Sequence, residues 1–326
     1  MSWHPIRPPA ATGAVPLQQH PRYGRACMQL GSRVAWYGLG PAGAPRARAQ
    51  VLIRRWPLFG DFALVARGPV WTAPAGPREA AEACADLAAQ LRRRCRGVIL
   101  TPDPVAGTDP LEGSGLLKMV TGGVQARLDL TGSAAARMAR QHGKWRNRLR
   151  RAQEAGLEIT HGPLPADPDH WLLRREALQA RSRGYRRLPH AFALAWRRQN
   201  GAASARVFTA SYGGMPVAGM LFLLHGAAAS YHIGWSGPLG RRTGAHALLL
   251  WEASTWLARR GHDWAELGAL DTLSAPGLAR FKLGSGARPV AVGASWMTAP
   301  GTAPVARLFG ARRPPQRGDD SAPDPA

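Results

Sequence analysis

The stretch Gly240-Arg241-Arg242-Thr243-Gly244-Ala245 sets two guanidiniums between two glycines, just ahead of a helical apolar pattern. No acid follows until Glu252. A helix N-terminus already carries partial positive charge from its unpaired backbone N–H groups. Two further cations there are unfavourable unless an anion sits in front. A strand, a short cationic turn and a helix N-terminus together make a phosphate site. Arg241 and Arg242 would add charge-assisted hydrogen bonds, and Gly240 and Gly244 would let the backbone approach a diphosphate. Solvated arginines in an arginine-rich loop have the same appearance, so this stretch alone leaves both readings open.

Other groups could move protons or hold a substrate. Glu266 and Asp271 flank the segment ELGALD that follows the helix. Strand ends in open sheets commonly line a site, so either carboxylate could serve as a base or hold an amine. Glu266 reads equally well as an exposed strand residue. His232 and His246 have intrinsic pKa values suited to proton transfer, although a lone histidine is more often structural. Tyr231 could pack or hydrogen-bond beside them. Between Arg140 and Arg151 there is no acid, and Arg140, Lys144, Arg148 and Arg151 follow i, i+4, i+8, i+11 as one basic stripe. That stripe suits a phosphorylated acceptor, an anionic lipid surface or RNA, or simply a solvated face. RSRGYRR, Arg181–Arg187, would extend the same surface.

The elements around these residues read in a definite order. Ser204–Ser211 and Pro216–Leu224 are strands joined through Gly213-Gly214, a hairpin signal. Ala229–Trp235 is a third strand. A helix from about Gly244 to Arg260 carries a broad apolar surface, as expected when a helix packs on a sheet. DWAELGAL is a short strand, PGLARFKLG a short helix and RPVAVGASWM a final strand. The sum is β-β-β-α-β-α-β. The first half gives a weaker version: strands at Cys27–Leu30, Val34–Leu39, Gln50–Trp56 and Asp61–Ala66, a helix over Pro77–Arg96, then GVIL and VQARLDL. A helix from about Ser133 to Ala155 lies between the halves, with further helices over Pro168–Arg183 and Pro189–Gln199. The expected organisation is an N-terminal half over 1–130, a C-terminal half with the donor site over 131–299, and a disordered tail over 300–326. If the halves are duplicates, the first supplies a contrast. Its helix starts PAGPREAAEA, where Glu79 and Glu82 neutralise the N-terminus and would repel a phosphate.

Composition narrows the classes. At 326 residues and 45% hydrophobic content, the chain can build two cores. It has no apolar run of transmembrane length and no secretory signal pattern. Three cysteines without CxxC spacing suggest neither a disulfide framework nor a zinc site. The expected location is therefore cytoplasmic, with peripheral contact to the inner face of an anionic membrane as an option. The net charge is +23, carried by arginine; only Lys118, Lys144 and Lys282 are lysines. A GC-rich coding bias produces such a pattern, but the field attracts phosphates whatever its origin.

The β-β-β-[RR-x-G-x]-α-β-α-β order resembles the GNAT acyltransferase fold. In that superfamily a turn of the form (Q/R)-x-x-G-x-(G/A) receives the pyrophosphate of acyl-CoA. Arg241-Arg242-Thr243-Gly244-Ala245-His246 is similar to it except for His246 at the last small position. ARGPVW, KWRNRLRRAQEAGLEI, YGGMPVAGMLFLLHGAAASYHIGWS, ALLLWEASTWLARRGHDWAELGALD and GLARFKLGSG, taken in order, resemble the Fem-type aminoacyltransferases of peptidoglycan bridges and their FemAB-like relatives. The resemblance implies an α+β chain of two tandem GNAT-like halves, each a mixed, mostly antiparallel sheet flanked by helices. Bridge-forming members often carry a long helical hairpin in the second half, thought to engage tRNA. No such insertion is visible, which favours the shorter N-acyltransferase-like relatives.

The same resemblance implies roles. It places a functional pair at Phe281-Lys282, with Lys282 beside the oxygen of a tetrahedral adduct, where one donor is worth about 3 kcal/mol. A lysine here, in a chain that otherwise uses arginine, is an independent hint, because a guanidinium fork does not replace a compact ammonium. The family pattern K-x-R-N-x-(I/L)-R maps onto Lys144, Arg146, Asn147 and Arg148 as substrate contacts. The expected activity is acyl transfer from acyl-CoA, such as acetyl-CoA, to a primary amine on an anionic, cell-wall-related acceptor, without metal. Aminoacyl-tRNA is the alternative donor. A non-catalytic RNA- or membrane-binding protein that kept the fold is the rival.

Overall fold

A computed structural model describes residues 2–10, 13–184 and 188–310. Its strands form two sheets. The first, eight-stranded, runs in the order Trp3–Pro5, Arg33–Leu39, Ala47–Trp56, Gly60–Ala66, Gly97–Thr101, Ser295–Thr298, Leu117–Val120, with Val70–Trp71 added beside Ala47–Trp56. The second, seven-stranded, runs Arg288–Val292, Gly123–Asp129, Trp264–Ala269, Ala228–Ser236, Met215–His225, Ala205–Tyr212, Glu158–Pro163. Each sheet has one parallel pair among antiparallel ones. The mixed, mostly antiparallel character expected of both halves is therefore present.

Alternation and helical periodicity bury what they should. The Pro77–Arg92 helix sets Leu87 and Leu91 against Val98 and Leu100 of the first sheet. The Ala245–Arg259 helix is apolar on most sides and buries Leu248, Leu249 and Leu257 against Phe222 and Met220 of the second. A third cluster joins the lobes: Leu17, Cys27 and Leu52 pack with Leu172, Trp196 and Leu221. Gly213 and Gly214 both have positive φ, 55° and 75°, as a two-residue hairpin turn requires.

The lobes exchange strands. Gly123–Asp129, on the first-half side of residue 130, pairs with Trp264–Ala269 and Arg288–Val292 in the second sheet. Ser295–Thr298 crosses back and pairs with Gly97–Thr101 and Leu117–Val120 in the first. The single strand expected at RPVAVGASWM is thus two strands on different sheets. Gly293 marks the crossing, since a Cβ there would lie 1.8 Å from the Pro102 carbonyl oxygen.

Three other expectations change. Cys27 belongs to a helix, Pro21–Gln29, whose N-terminus is capped by His20 and opened by Pro21. The helix expected over Ser133–Ala155 is two, Ala134–Ala139 and Gly143–Gln153, with the break just before Gly143. Thr302–Gly310 is a helix inside the segment expected to be disordered, and 311–326 lie outside the described residues. Residues 185–187 of RSRGYRR also lie outside them.

Candidate active site

The parallel pair of the second sheet is joined only at its start. Ala228, Ala229 and Ser230 face Trp264, Ala265 and Glu266, and no later rung is formed. Two irregularities accompany the divergence: one where Leu221/Phe222 meet Ala228–Ser236, and one between Glu266 and Ala269. Past the last rung, Tyr231 and Leu267 line a small cavity of about 10 Å³ with Met220, Leu250, Phe281 and Lys282. That space is about the size of one water. In the first sheet the corresponding parallel pair stays joined over five rungs, Phe62↔Gly97 to Ala66↔Thr101. Among the described residues, the second lobe's parallel pair diverges into a wedge and the first lobe's does not.

Lys282 sits on the Pro276–Gly284 helix and is 5% exposed. Its Nζ donates to the Ala269 carbonyl oxygen at 2.7 Å. Gly268, at φ 81°, turns the strand there, and a Cβ on it would stand 3.6 Å from Nζ. Burial without a carboxylate partner lowers the ammonium from the ordinary 10.5 to about 8. A lysine so placed is still mostly charged at neutral pH and can donate to a developing oxyanion or release its proton a little above it.

Phe281 is the wall between that pocket and a much larger cleft of about 620 Å³. Its ring lies 6.1 Å from Trp145 and 6.2 Å from His246. The cleft is lined by Lys144, Arg148 and Arg151 of the Gly143–Gln153 helix on one side and by Arg241, Arg242, Thr243 and Gly244 on the other. No acid lines it. The break before Gly143 removes Arg140 from the basic stripe; its Nη2 instead donates to the Asp129 and Thr131 carbonyl oxygens at 3.1 and 2.9 Å. Arg146 turns away and donates to the Gln141 carbonyl oxygen. Asn147 lines the cleft and accepts from Arg150 at 3.3 Å.

The cationic turn is itself helical, which the sequence reading missed. Pro238–Thr243 forms a short helix ended by Gly244 at φ 72°. Arg241 and Arg242 therefore lie in the last turn of one helix, where a cation is favourable, as well as ahead of the next. Pro238 at the first position and Gly244 just past the end were the available signal. The two glycines act through packing. A Cβ on Gly240 would lie 2.4 Å from the Val217 carbonyl oxygen, and one on Gly244 3.0 Å from Cγ of Arg148. Arg241 anchors the turn by donating to the Ser236 carbonyl oxygen at 2.5 Å. Ala245 is buried at the start of the Ala245–Arg259 helix.

The remaining candidates separate. Tyr231 lines the Lys282 pocket. His246 lines the cleft, but its Nε2 is 2.9 Å from the Trp235 carbonyl oxygen, and burial lowers its pKa. His232, next to Tyr231, packs against Phe192 at 5.7 Å in the interlobe cluster; burial and then His190 lower it to about 4. Glu266 is 6% exposed, and its Oε1 accepts from Arg67 Nη1 at 3.3 Å and Arg127 Nη2 at 3.1 Å. Arg67, from ARGPVW, also binds Asp103 through two nitrogens at 2.5 and 2.8 Å and Gln125 at 2.9 Å. Glu266 thus anchors an interlobe network at the last joined rung. Asp271 is exposed, and its Oδ1 accepts from the backbone N–H groups of Ser274 and Leu273 at 2.7 and 3.0 Å. Those bonds, Ser274 first, hold its carboxyl below the usual range. Among the described residues no group of His, Cys, Asp and Glu could hold a metal, and no helix is long and apolar enough to cross a membrane.

The wedge and the cation cleft lie side by side in the second lobe, and comparison with known proteins gives this stretch its class. Residues 139–283 match the Acetyltransf_6 family, an acetyltransferase (GNAT) domain, and this stretch contains all of the cleft and Lys282. The protein is an acyltransferase of GNAT fold. Across 95% of this chain and 100% of the other, the structure is similar to FemX, with TM-score 0.75 and 12% identity. It is also similar to the C-terminal DUF2156 domain of an Agrobacterium fabrum protein, with TM-score 0.54, 14% identity and coverage of 90% and 92%. A tandem GNAT protein from the clavulanic acid biosynthesis pathway matches with TM-score 0.50, 14% identity and coverage of 89% and 90%. The architecture is accordingly the two-lobed, FemAB-like arrangement of tandem GNAT folds. No curated protein matches the sequence.

Proposed function

We propose that the protein transfers an acyl group from a phosphate-bearing carrier, acyl-CoA, to a primary amine on an anionic acceptor. The carrier's phosphates lie among Lys144, Arg148, Arg151, Arg241 and Arg242, and its acyl carbonyl enters the wedge beside Lys282. One observation carries this reading: Phe281 lines both spaces, so the phosphate cleft opens next to the buried lysine. In the reaction the amine nitrogen attacks the thioester carbon, the amide bond forms, and the carbon–sulfur bond breaks. The proton lost by the amine balances the one gained by the thiol. Lys282 Nζ donates to the carbonyl oxygen as it gains negative charge. Holding amine and thioester together supplies the rest by proximity.

No helical hairpin is inserted between Ala205 and Gly286, but the chain matches FemX over all of that chain, so this feature does not separate acyl-CoA from aminoacyl-tRNA. The same cations would accept the phosphates of a tRNA end, so the donors are separated by experiment. Thermal unfolding is followed with acetyl-CoA, CoA and charged tRNA, and turnover is measured for the parent and Lys282→Ala. The expected outcome is stabilisation by acetyl-CoA in both proteins and loss of turnover only in the variant. Stabilisation by charged tRNA alone overturns the donor assignment. Unchanged turnover in Lys282→Ala overturns the role given to Lys282, and no turnover by the parent with any donor overturns the transfer reaction itself.

A further inference from the structure

One end of the first sheet carries an apolar tip inside a cationic collar. The hairpin from Ala47–Trp56 to Gly60–Ala66 turns through Trp56-Pro57-Leu58-Phe59. Leu58 is fully exposed, Phe59 is 64% exposed and Trp56 37%. Leu58 also has φ 66°, a left-handed backbone that favours glycine or asparagine. A leucine there gains nothing from packing and costs backbone strain, so folding does not account for it. Trp56 is held by stacking on Phe62, with centroids 4.3 Å apart. The turn before Arg33–Leu39 lies at the same end, because Arg33 faces Ile53 and Arg54 Nε donates to Ser32 Oγ at 2.9 Å. It exposes Leu30 by 41%, and the end of the Pro21–Gln29 helix that leads into it exposes Met28 by 50%.

The surrounding charge is predominantly cationic. Arg54 and Arg55 flank the tip and are exposed. The end of the Pro77–Arg92 helix is tied to the hairpin by Arg96 N–H donating to the Asp61 carbonyl oxygen at 2.7 Å. It brings exposed Arg93, Arg94 and Arg96. Asp61 is the sole acid of residues 50–66 and 92–96, and Arg33 pairs with it at 2.5 Å.

We propose that this end of the first lobe docks on an anionic phospholipid surface. Leu58 and Phe59 enter the acyl boundary, Trp56 sits at headgroup level, and the arginines meet lipid phosphates. An RNA could stack a base on Phe59 but would leave Leu58, the fully exposed residue of the tip, in water, so the aliphatic projection favours a bilayer. The proposal does not depend on the acyl donor.

The test is co-sedimentation of the full chain with phosphatidylglycerol/phosphatidylethanolamine vesicles, with phosphatidylcholine vesicles as the neutral control. Leu58→Asn with Phe59→Ser removes the tip and suits the left-handed backbone, so unfolding temperature should not fall. The parent should bind anionic vesicles, and the tip variant should bind at least tenfold more weakly. Arg54→Ser with Arg55→Ser should lose about twenty-five-fold, at roughly fivefold per arginine. Equal binding by parent and tip variant overturns the proposal, because attraction would then be to the net charge alone. A parent that dimerises through the tip and ignores vesicles overturns it too, and makes the patch an interface between copies.

Discussion

Replacing Lys282 with methionine should make the protein more stable and nearly inactive. The buried ammonium has its pKa lowered from 10.5 to about 8, while in the unfolded chain it titrates near 10.5. At neutral pH that difference corresponds to about 3 kcal/mol by which the folded state disfavours the charge. Methionine keeps the volume and carries no charge. It leaves the Ala269 carbonyl oxygen without its donor, which returns about 1–2 kcal/mol. The net gain at pH 6–7 is about 1–2 kcal/mol. The sign follows from proton counts. Between pH 8 and 10.5 the unfolded lysine holds a proton that the folded one lacks, so the parent gains stability as pH rises through that window. The variant has no such dependence, so its advantage should disappear and reverse by about pH 10. Urea unfolding of both proteins at pH 6, 7, 8, 9 and 10 reads this directly. Turnover should fall by about 10²–10³, the worth of one oxyanion donor, and in the parent it should decline as pH passes about 8. A stability difference independent of pH would refute the argument, since burial of charge would then not be what distinguishes the residues.

Two further outcomes follow from close contacts. Gly240→Ala puts a Cβ 2.4 Å from the Val217 carbonyl oxygen, backbone that cannot yield, and should cost about 1–3 kcal/mol in thermal unfolding while raising the donor KM by shifting Arg241 and Arg242. Arg67→Met leaves Asp103 and Glu266 without their shared guanidinium, and should lower stability by about 3 kcal/mol, with Arg67→Lys recovering only part because it lacks the fork; equilibrium denaturation compares the three.

What could be read from the letters follows the range of the interaction. The Gly213-Gly214 hairpin and the Ala245–Arg259 helix are local patterns, and both stand within a residue or two of their expected bounds. Phe281-Lys282 and the cationic turn were legible through motif; Phe281 and the turn line one cleft, and Lys282 lies in the pocket on the other side of Phe281. The helix Pro21–Gln29 was masked by Gly24, whose missing side chain lets Gln50 approach; its Cβ would meet Gln50 Oε1 at 2.3 Å. The split at Gly293 depends on a backbone crossing with Pro102, about 190 residues distant in sequence, which no local pattern encodes. Glu266 read as a possible base because its partners, Arg67 and Arg127, are 199 and 139 residues away.

The strand exchange has a consequence for biogenesis. Ser295–Thr298 is inserted between Gly97–Thr101 and Leu117–Val120, so the first sheet lacks an interior rung until nearly the whole chain has left the ribosome. Domains usually fold as they emerge, N-terminal part first. Here the leading lobe must wait for its final piece, with two strand edges open in the interval. All seven strands of the second sheet lie within residues 123–292, so only the first lobe depends on the late piece, and a nascent chain stalled before residue 295 presents those edges to whatever is nearby.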